Sequence, residues 1–233
     1  VNDQPASTAP APAHVVIVGA GHAGGTVAAL LRQYGYAGQI TLVGDEPIAP
    51  YQRPPLSKAW LKGEADADAL MLKPESFYAE HGIDLRLNTH ATAIDRDARR
   101  VRLGNGDDVA YEALVLATGA RARRLSIPGI ELANVLELRS AADAERLKAV
   151  LGPGRRLAVV GGGYIGLEAA ASGRALGAEA VVIEKEPRLL ARVACEVLSN
   201  FFQGYHEAHG VVFELGADIT ALEGRDGLIT GVR

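Results

Sequence analysis

Apolar residues in this chain gather into short β-branched runs, each followed by an Ala- and Leu-rich stretch of helical composition, and the pattern occurs twice. His14–Val18 and Leu157–Val160 are short enough to be buried parallel strands. Thr26–Arg32 and Leu167–Leu176 follow as helices. Gln39–Val43 and Ala180–Ile183 then close each unit as second strands, giving two βαβ repeats. Between the repeats, Pro50–Lys58 (PYQRPPLSK) reads as a Pro-rich turn that begins no helix before Leu56. Ser57–Lys62 forms a short helix ending at Gly63, and Lys73–His81 a second, with Pro74 N1-like and Gly82 as its C-terminal cap. Ile83–Leu87 alternates as a strand should. Thr92–Leu103, Asn105–Gly106 and Val109–Tyr111 spell a hairpin or three-stranded meander, and Ala113–Thr118 is another buried strand, closed by Gly119. Beyond a basic crossing at Arg121–Gly129, the pattern predicts a helix at Ala141–Val150 and a turn at Gly152–Gly154. It continues with a helix over Pro187–Gly204, strands at Val211–Leu215 and Ile219–Leu222, and a strand just begun at Leu228–Val232.

Each first strand runs straight into G-x-G-x-x-G: Gly19, Gly21 and Gly24 in VVIVGAGHAGG, and Gly161, Gly163 and Gly166 in LAVVGGGYIGLE. With 27 Gly in 233 residues, composition alone gives roughly 0.4 chance matches, so the bare motif is weak and its strand–helix–strand context is what makes it specific. Gly19 and Gly161 permit the tight turn, Gly21 and Gly163 let backbone approach a pyrophosphate, and Gly24 and Gly166 let helix pack close on strand. The helix N-terminus offers its free N–H groups to the phosphates. Asp45 and Glu184 end the second strands, close to the ~20-residue spacing expected of a ribose-binding carboxylate. Two cradles in one chain indicate two dinucleotides, the arrangement in which one passes electrons to the other.

Composition narrows the picture without redirecting it. A hydrophobic fraction of 48% with 22% charged residues is ordinary for a globular domain, and a net charge of −4 gives no sign of a nucleic-acid binder. No apolar stretch approaches the ~18 residues of a membrane span, and no metal site is expected. The opening VNDQPASTAPAPA is no signal peptide and reads as a disordered tail over 1–13. Cys195 is the single cysteine; it is expected to be a buried or half-exposed spectator thiol, which points to a reducing, cytoplasmic setting.

VVIVGAGHAGG, ITLVGDE, YQRPPLSKAWLKGE, LVLATGA and LAVVGGGYIGLEAA, in this order and spacing, resemble the FAD-dependent ferredoxin reductases of bacterial oxygenase systems over nearly everything from His14 onward. The resemblance implies an α/β fold of two Rossmann-like dinucleotide-binding domains of the glutathione-reductase-like flavoprotein type. An FAD-binding domain would span 14–125 and an NAD-binding domain 126–233, with the C-terminal part missing because a G-D motif and a further domain follow in that family. It implies that Gly19, Gly21, Ala23, Gly24, Asp45, Arg53, Lys58, Ala91, Thr118, Gly119 and Arg139 serve FAD. NADH would fall to Gly161, Gly163, Tyr164, Ile165, Gly166 and Glu184, with Lys58 and Glu168 as a catalytic pair beside the flavin. Arg139 also has a simpler reading, pairing with Asp143 at i+4.

Related disulfide reductases carry a cysteine pair soon after the first acid. EPIAPYQRPPLSK has none, so electrons are expected to leave the flavin directly for an outside acceptor. The family's acceptor is a [2Fe–2S] ferredoxin that feeds a haem-thiolate monooxygenase or a ring-hydroxylating dioxygenase; neither nucleic acid nor membrane is an expected partner. An NADH oxidase or nitrite-reductase type of flavoprotein is the alternative, as is a signalling flavoprotein like apoptosis-inducing factor. The latter's basic surface would have to come from Arg96, Arg99, Arg100 and Arg102, diluted by acids, or from Arg121, Arg123 and Arg124, which could equally face an acidic ferredoxin.

Overall fold

The computed structural model describes residues 10–233; residues 1–9 of the expected tail lie outside the described part. In chain order the elements are β1 (His14–Val18), α1 (His22–Gln33), β2 (Gln39–Val43), a 3₁₀ turn at Pro54–Ser57, α2 (Ala59–Lys62), α3 (Ala67–Leu70), α4 (Glu75–Glu80) and β3 (Ile83–Arg86). Next come β4 (Ala91–Asp95), β5 (Arg100–Leu103), β6 (Asp108–Ala110), β7 (Ala113–Leu116), α5 (Ala141–Val150), β8 (Arg156–Val160) and α6 (Tyr164–Ala175). The series ends with β9 (Glu179–Glu184), α7 (Glu196–Ala208), β10 (Val211–Leu215), β11 (Leu222–Arg225) and β12 (Leu228–Val232). The chain divides into two compact units. One holds the described residues up to Gln52 together with Ala67–Ala120, and the other Arg53–Asp66 with Arg121–Arg233. The Pro-rich segment, which the sequence places in the first domain, is therefore divided: residues 50–52 stay with the first unit and residues 53–58 belong with the second.

In the first unit a parallel sheet runs β3-β2-β1-β7. β1 is apolar at consecutive positions because both of its faces are covered. Val15 and Ile17 pack with Ala28 of α1 and Tyr78 of α4. Val16 and Val18 face the other way, against Val101, Leu103 and Val109 of the antiparallel meander β4-β5-β6. Because β2 and β7 lie on opposite sides of β1, the strand order reverses at its carboxyl end, where open α/β sheets bind ligands.

In the second unit the parallel sheet runs β10-β9-β8. Ala170 of α6 packs on Ala180, Val182 and Val211, and Leu167 packs on Leu189 and Leu190. β8, expected to be buried, is an edge strand with Arg156, Ala158 and Val160 exposed, because among the described residues it pairs only with β9.

Several boundaries differ from the sequence reading, each for a physical reason. Helical structure begins earlier than Leu56, because Pro54 and Pro55 occupy the first positions of the 3₁₀ turn, where a missing N–H costs nothing. Half of the helix expected over Pro187–Gly204 is loop: Leu190 takes a left-handed φ of 53°, and the Arg188 guanidinium binds the carbonyls of Ala191 and Ala194. The strand expected at Ile219–Leu222 starts instead at Leu222. β12, read as a strand just begun, closes an antiparallel hairpin with β11 through Asp226–Gly227, whose positive φ angles suit a tight hairpin turn. Cys195 is exposed rather than buried.

Ser140 and Asp143 cap α5 reciprocally. Ser140 Oγ accepts the Asp143 N–H at 3.2 Å, while Asp143 Oδ2 accepts from Ser140 N–H at 2.8 Å and Arg139 N–H at 3.1 Å. The i+4 contact foreseen for Arg139 thus runs through its backbone. Burial alone would raise the Asp143 carboxyl, but bonds from Ser140, Arg146 and the Arg139 backbone outweigh it and hold it below its ordinary value. A depressed folded pKa stabilises the fold above the unfolded pKa, and that contribution is lost as pH falls through the folded one. Asp143→Asn should therefore cost about 1 kcal/mol of unfolding free energy at neutral pH and progressively less in acid. Denaturant melts across the acid range check this, and a cost independent of pH would contradict it.

Candidate functional site: two glycine cradles

Each unit builds the same device at the end of its first strand. Gly19 takes φ +113° and Gly161 φ +107°, values costly for any residue with a Cβ. Their N–H groups donate to Val43 O and Ile183 O, both at 2.8 Å, tying each turn to the neighbouring strand. A Cβ on Gly24 would stand 1.8 Å from Gly19 O, and one on Gly166 would stand 2.1 Å from Gly161 O. The third glycine of each motif thus lets the helix press onto the carbonyl of the first. α1 and α6 begin at His22 and Tyr164 with Gly21 and Gly163 as N-caps and no side-chain cap, so first-turn N–H groups stay available for an anion. A Cβ on Gly163 would meet nothing within 4 Å, leaving its approach open. Both cradles fit a dinucleotide pyrophosphate by their own geometry.

In the first unit several of the expected residues follow the carboxyl ends of the parallel strands. A Cβ on Gly19 would lie 2.1 Å from Ala117 O and 3.0 Å from Thr118 N, so Thr118 and Gly119, after β7, border the first turn. Ala23 is exposed in the first turn of α1. Asp45 is exposed at the end of β2, and the chain after β3 runs beside it: Thr89 N–H donates to Gly44 O at 2.8 Å and Asn88 N–H to Glu46 O at 3.0 Å. This brings the start of β4, with Ala91, towards the carboxylate end of the cradle.

The second unit holds its acid more firmly. Glu184 Oε2 accepts the Gly162 N–H at 2.6 Å, and Oε1 accepts the Glu186 N–H at 2.8 Å. Two such charge-assisted bonds, each worth about 1.5–3 kcal/mol, fix the carboxylate against the glycine loop. Gly162, the unmarked middle glycine of GGG, was not singled out in the sequence. A Cβ there would meet Leu189 Cδ2 at 2.6 Å, and its carbonyl accepts Leu190 N–H at 3.0 Å. Tyr164 and Ile165 are each 52% exposed at the start of α6, free to meet a ligand.

Lys58 and Glu168 pair as expected, with Nζ 2.8 Å from Oε2. They are not alone. Ser57 Oγ donates to the same Oε2 at 2.6 Å, and Ser172, one turn further along α6, donates to Ser57 O at 2.7 Å. Arg53 Nη1 donates to Arg139 O at 2.7 Å. Arg53, Lys58 and Arg139, all assigned to the flavin in the sequence, are therefore positioned by the second unit, with Glu168. Of the basic clusters, Arg124 is engaged by Glu131 and Glu137, while Arg121 and Arg123 are exposed. Among the described residues no group of three or more His, Cys, Asp or Glu could hold a metal, and no helix is long and apolar enough to cross a membrane.

The family model described as "Pyridine nucleotide-disulphide oxidoreductase" matches residues 13–233. The chain is 52% identical over 219 residues to the probable ferredoxin reductase CtmF of Castellaniella defragrans, covering 94% of this chain and 54% of that protein. It is 47% identical over 213 residues to a rubredoxin-NAD(+) reductase of Pseudomonas putida, covering 91% and 55%. The ferredoxin reductase for the CYP199A2 system from Rhodopseudomonas palustris superposes with a TM-score of 0.91 at 42% identity, over 94% of this chain and 54% of that one. The chain spans about half the length of the curated relatives it matches.

The two kinds of glycine should separate in a melting experiment. Gly24→Ala and Gly166→Ala should each cost about 1–3 kcal/mol by overpacking, whereas Gly163→Ala should leave the melting temperature unchanged. Equal losses at all three would contradict the cradle geometry.

Proposed function

Because the chain belongs to the pyridine nucleotide-disulphide oxidoreductase family, we propose that it acts as a cytoplasmic flavoprotein ferredoxin reductase. Electrons would pass from NADH through FAD to a [2Fe–2S] ferredoxin that serves a haem-thiolate monooxygenase or a ring-hydroxylating dioxygenase. The observation that carries this reading is the duplicated cradle, each copy with a carboxylate at the end of its second strand. Gly19, Gly21, Ala23, Gly24, Asp45, Ala91, Thr118 and Gly119 would hold FAD, aided by Arg53 and Arg139. Gly161, Gly163, Tyr164, Ile165, Gly166 and Glu184 would hold NADH. Bound there, NADH supplies a hydride and FAD the conversion of that electron pair into the single electrons a [2Fe–2S] cluster accepts.

What the chain itself contributes is placement and charge. The helix N-termini orient the pyrophosphates. Lys58 brings a cation to offset charge developing on the flavin, with Glu168 as its partner until nicotinamide arrives. The only cysteine is Cys195, so no dithiol within the chain relays electrons, which favours direct delivery outward.

Coenzyme choice follows from Glu184. A 2′-phosphate beside its carboxylate meets a like charge; two unit charges ~4 Å apart at an effective dielectric of ~20 repel by about 4 kcal/mol, an upper bound. Of two cations nearby in sequence, Arg188 is held by backbone and hydroxyl acceptors, while Lys185 stays exposed in a surface pair and can soften this. Arg188 binds Ala191 O, Ala194 O and Ser199 Oγ at 2.8–2.9 Å, and Lys185 lies 3.3 Å from Asp218. The protein should reduce a [2Fe–2S] ferredoxin in an FAD-dependent assay read through cytochrome c, with kcat/KM at least tenfold higher for NADH than for NADPH. Absence of ferredoxin reduction would refute the reductase reading, and equal efficiency with the two coenzymes would refute the role of Glu184.

A further inference from the structure

Glu168 Oε2 is shared by two donors of very different freedom. Ser57 Oγ reaches it at 2.6 Å from a residue only 5% exposed. The Lys58 side chain is 49% exposed and has a second acceptor in Pro54 O at 3.2 Å. Ser57 is held in turn, since its carbonyl accepts the buried Ser172 hydroxyl at 2.7 Å. Among the described residues, Glu168 Oε1 receives no hydrogen bond, so one oxygen is anchored and the other is left without a donor in a side chain 31% exposed.

An ion pair with an exposed lysine contributes little by itself and leaves both side chains free to wander. A buried neutral hydroxyl acts differently: it fixes the carboxylate without cancelling its charge. It also keeps one hydrogen bond in place if the cation departs, sparing the carboxylate the cost of losing its last donor. We propose that Ser57 is a positioning residue for the coenzyme step, holding Glu168 so that Lys58 can exchange its partner when a nicotinamide coenzyme binds. This rests on the reading that α6 receives NADH. The SK pair of PPLSK then divides the work, with Ser57 as the fixed donor and Lys58 as the mobile one.

The test is titration of the protein with NAD⁺, followed through emission of Trp60, the only tryptophan, which lies in α2 two residues beyond Lys58. Ser57→Ala should weaken NAD⁺ binding about tenfold, the loss expected for one hydrogen bond to a charged group. It should raise KM for NADH while changing kcat less than twofold. Ser172→Ala removes the support of the Ser57 carbonyl but leaves the hydroxyl on Glu168. It should lower the melting temperature yet bind NAD⁺ within twofold of wild type. The effects of Ser57→Ala and Lys58→Gln should be non-additive by threefold or more, because both act on one oxygen. Unchanged affinity in Ser57→Ala, a matching loss in Ser172→Ala, or strict additivity would each overturn the proposal. Failure of the wild-type protein to bind NAD⁺ would instead overturn the coenzyme reading on which it rests.

Discussion

A helix can begin directly above the end of the strand that precedes it only where no side chain stands between them. In both units of this chain that contact is made by a glycine Cα lying over a glycine carbonyl, Gly24 on Gly19 and Gly166 on Gly161, with room for no added methyl. The rest follows from the approach. The first turn of the helix is brought to the mouth of the sheet, its N–H groups are left uncapped, and an acid follows or ends the second strand, in the second unit held on the glycine loop. A pyrophosphate is the natural occupant of such a place, because backbone donors and the helix dipole act on it together.

The two cradles share a frame and differ in how rigidly they hold the acid. Asp45 ends its strand exposed, whereas Glu184 is gripped by the N–H groups of Gly162 and Glu186. In the proposed coenzyme site, a carboxylate held by two backbone donors would discriminate by charge as well as by hydrogen bonding. The second unit also carries Arg53–Asp66, so Lys58 and Glu168 are set by one packed cluster. Within that cluster Ser57 bonds the Glu168 carboxylate and Ser172 bonds only the Ser57 carbonyl, two small hydroxyl residues that offer no charge and no aromatic surface to draw attention.

Much of this was legible in the residues. β1, β2 and β10 fall where the apolar runs place them, because short strands with buried positions write their limits into composition, and α5 and β12 also keep their expected bounds. The glycine turns were equally plain, since spacing and context constrained each other. What escaped was set by tertiary contact. The loop before α7 is held open by an arginine gathering carbonyls, which no periodicity reveals. The edge position of β8 depends on its neighbours rather than on its own sequence. The hairpin at Asp226–Gly227 did carry a signal, the D-G pair between two strand-like runs, but reading the second run as a strand just begun hid it. Assignment of PPLSK to the second unit could not be read at all, because the contacts that decide it lie more than a hundred residues away in sequence.

The central claim is that one chain holds two different dinucleotides in two like cradles. Equilibrium titration of one protein sample with FAD and with NAD⁺ tests it most directly, repeated on Gly21→Val and Gly163→Val. The account predicts one site for each ligand and no competition between them, with FAD lost only in Gly21→Val and NAD⁺ only in Gly163→Val. Mutual displacement of the two ligands, or loss of FAD in Gly163→Val with NAD⁺ binding intact, would contradict it.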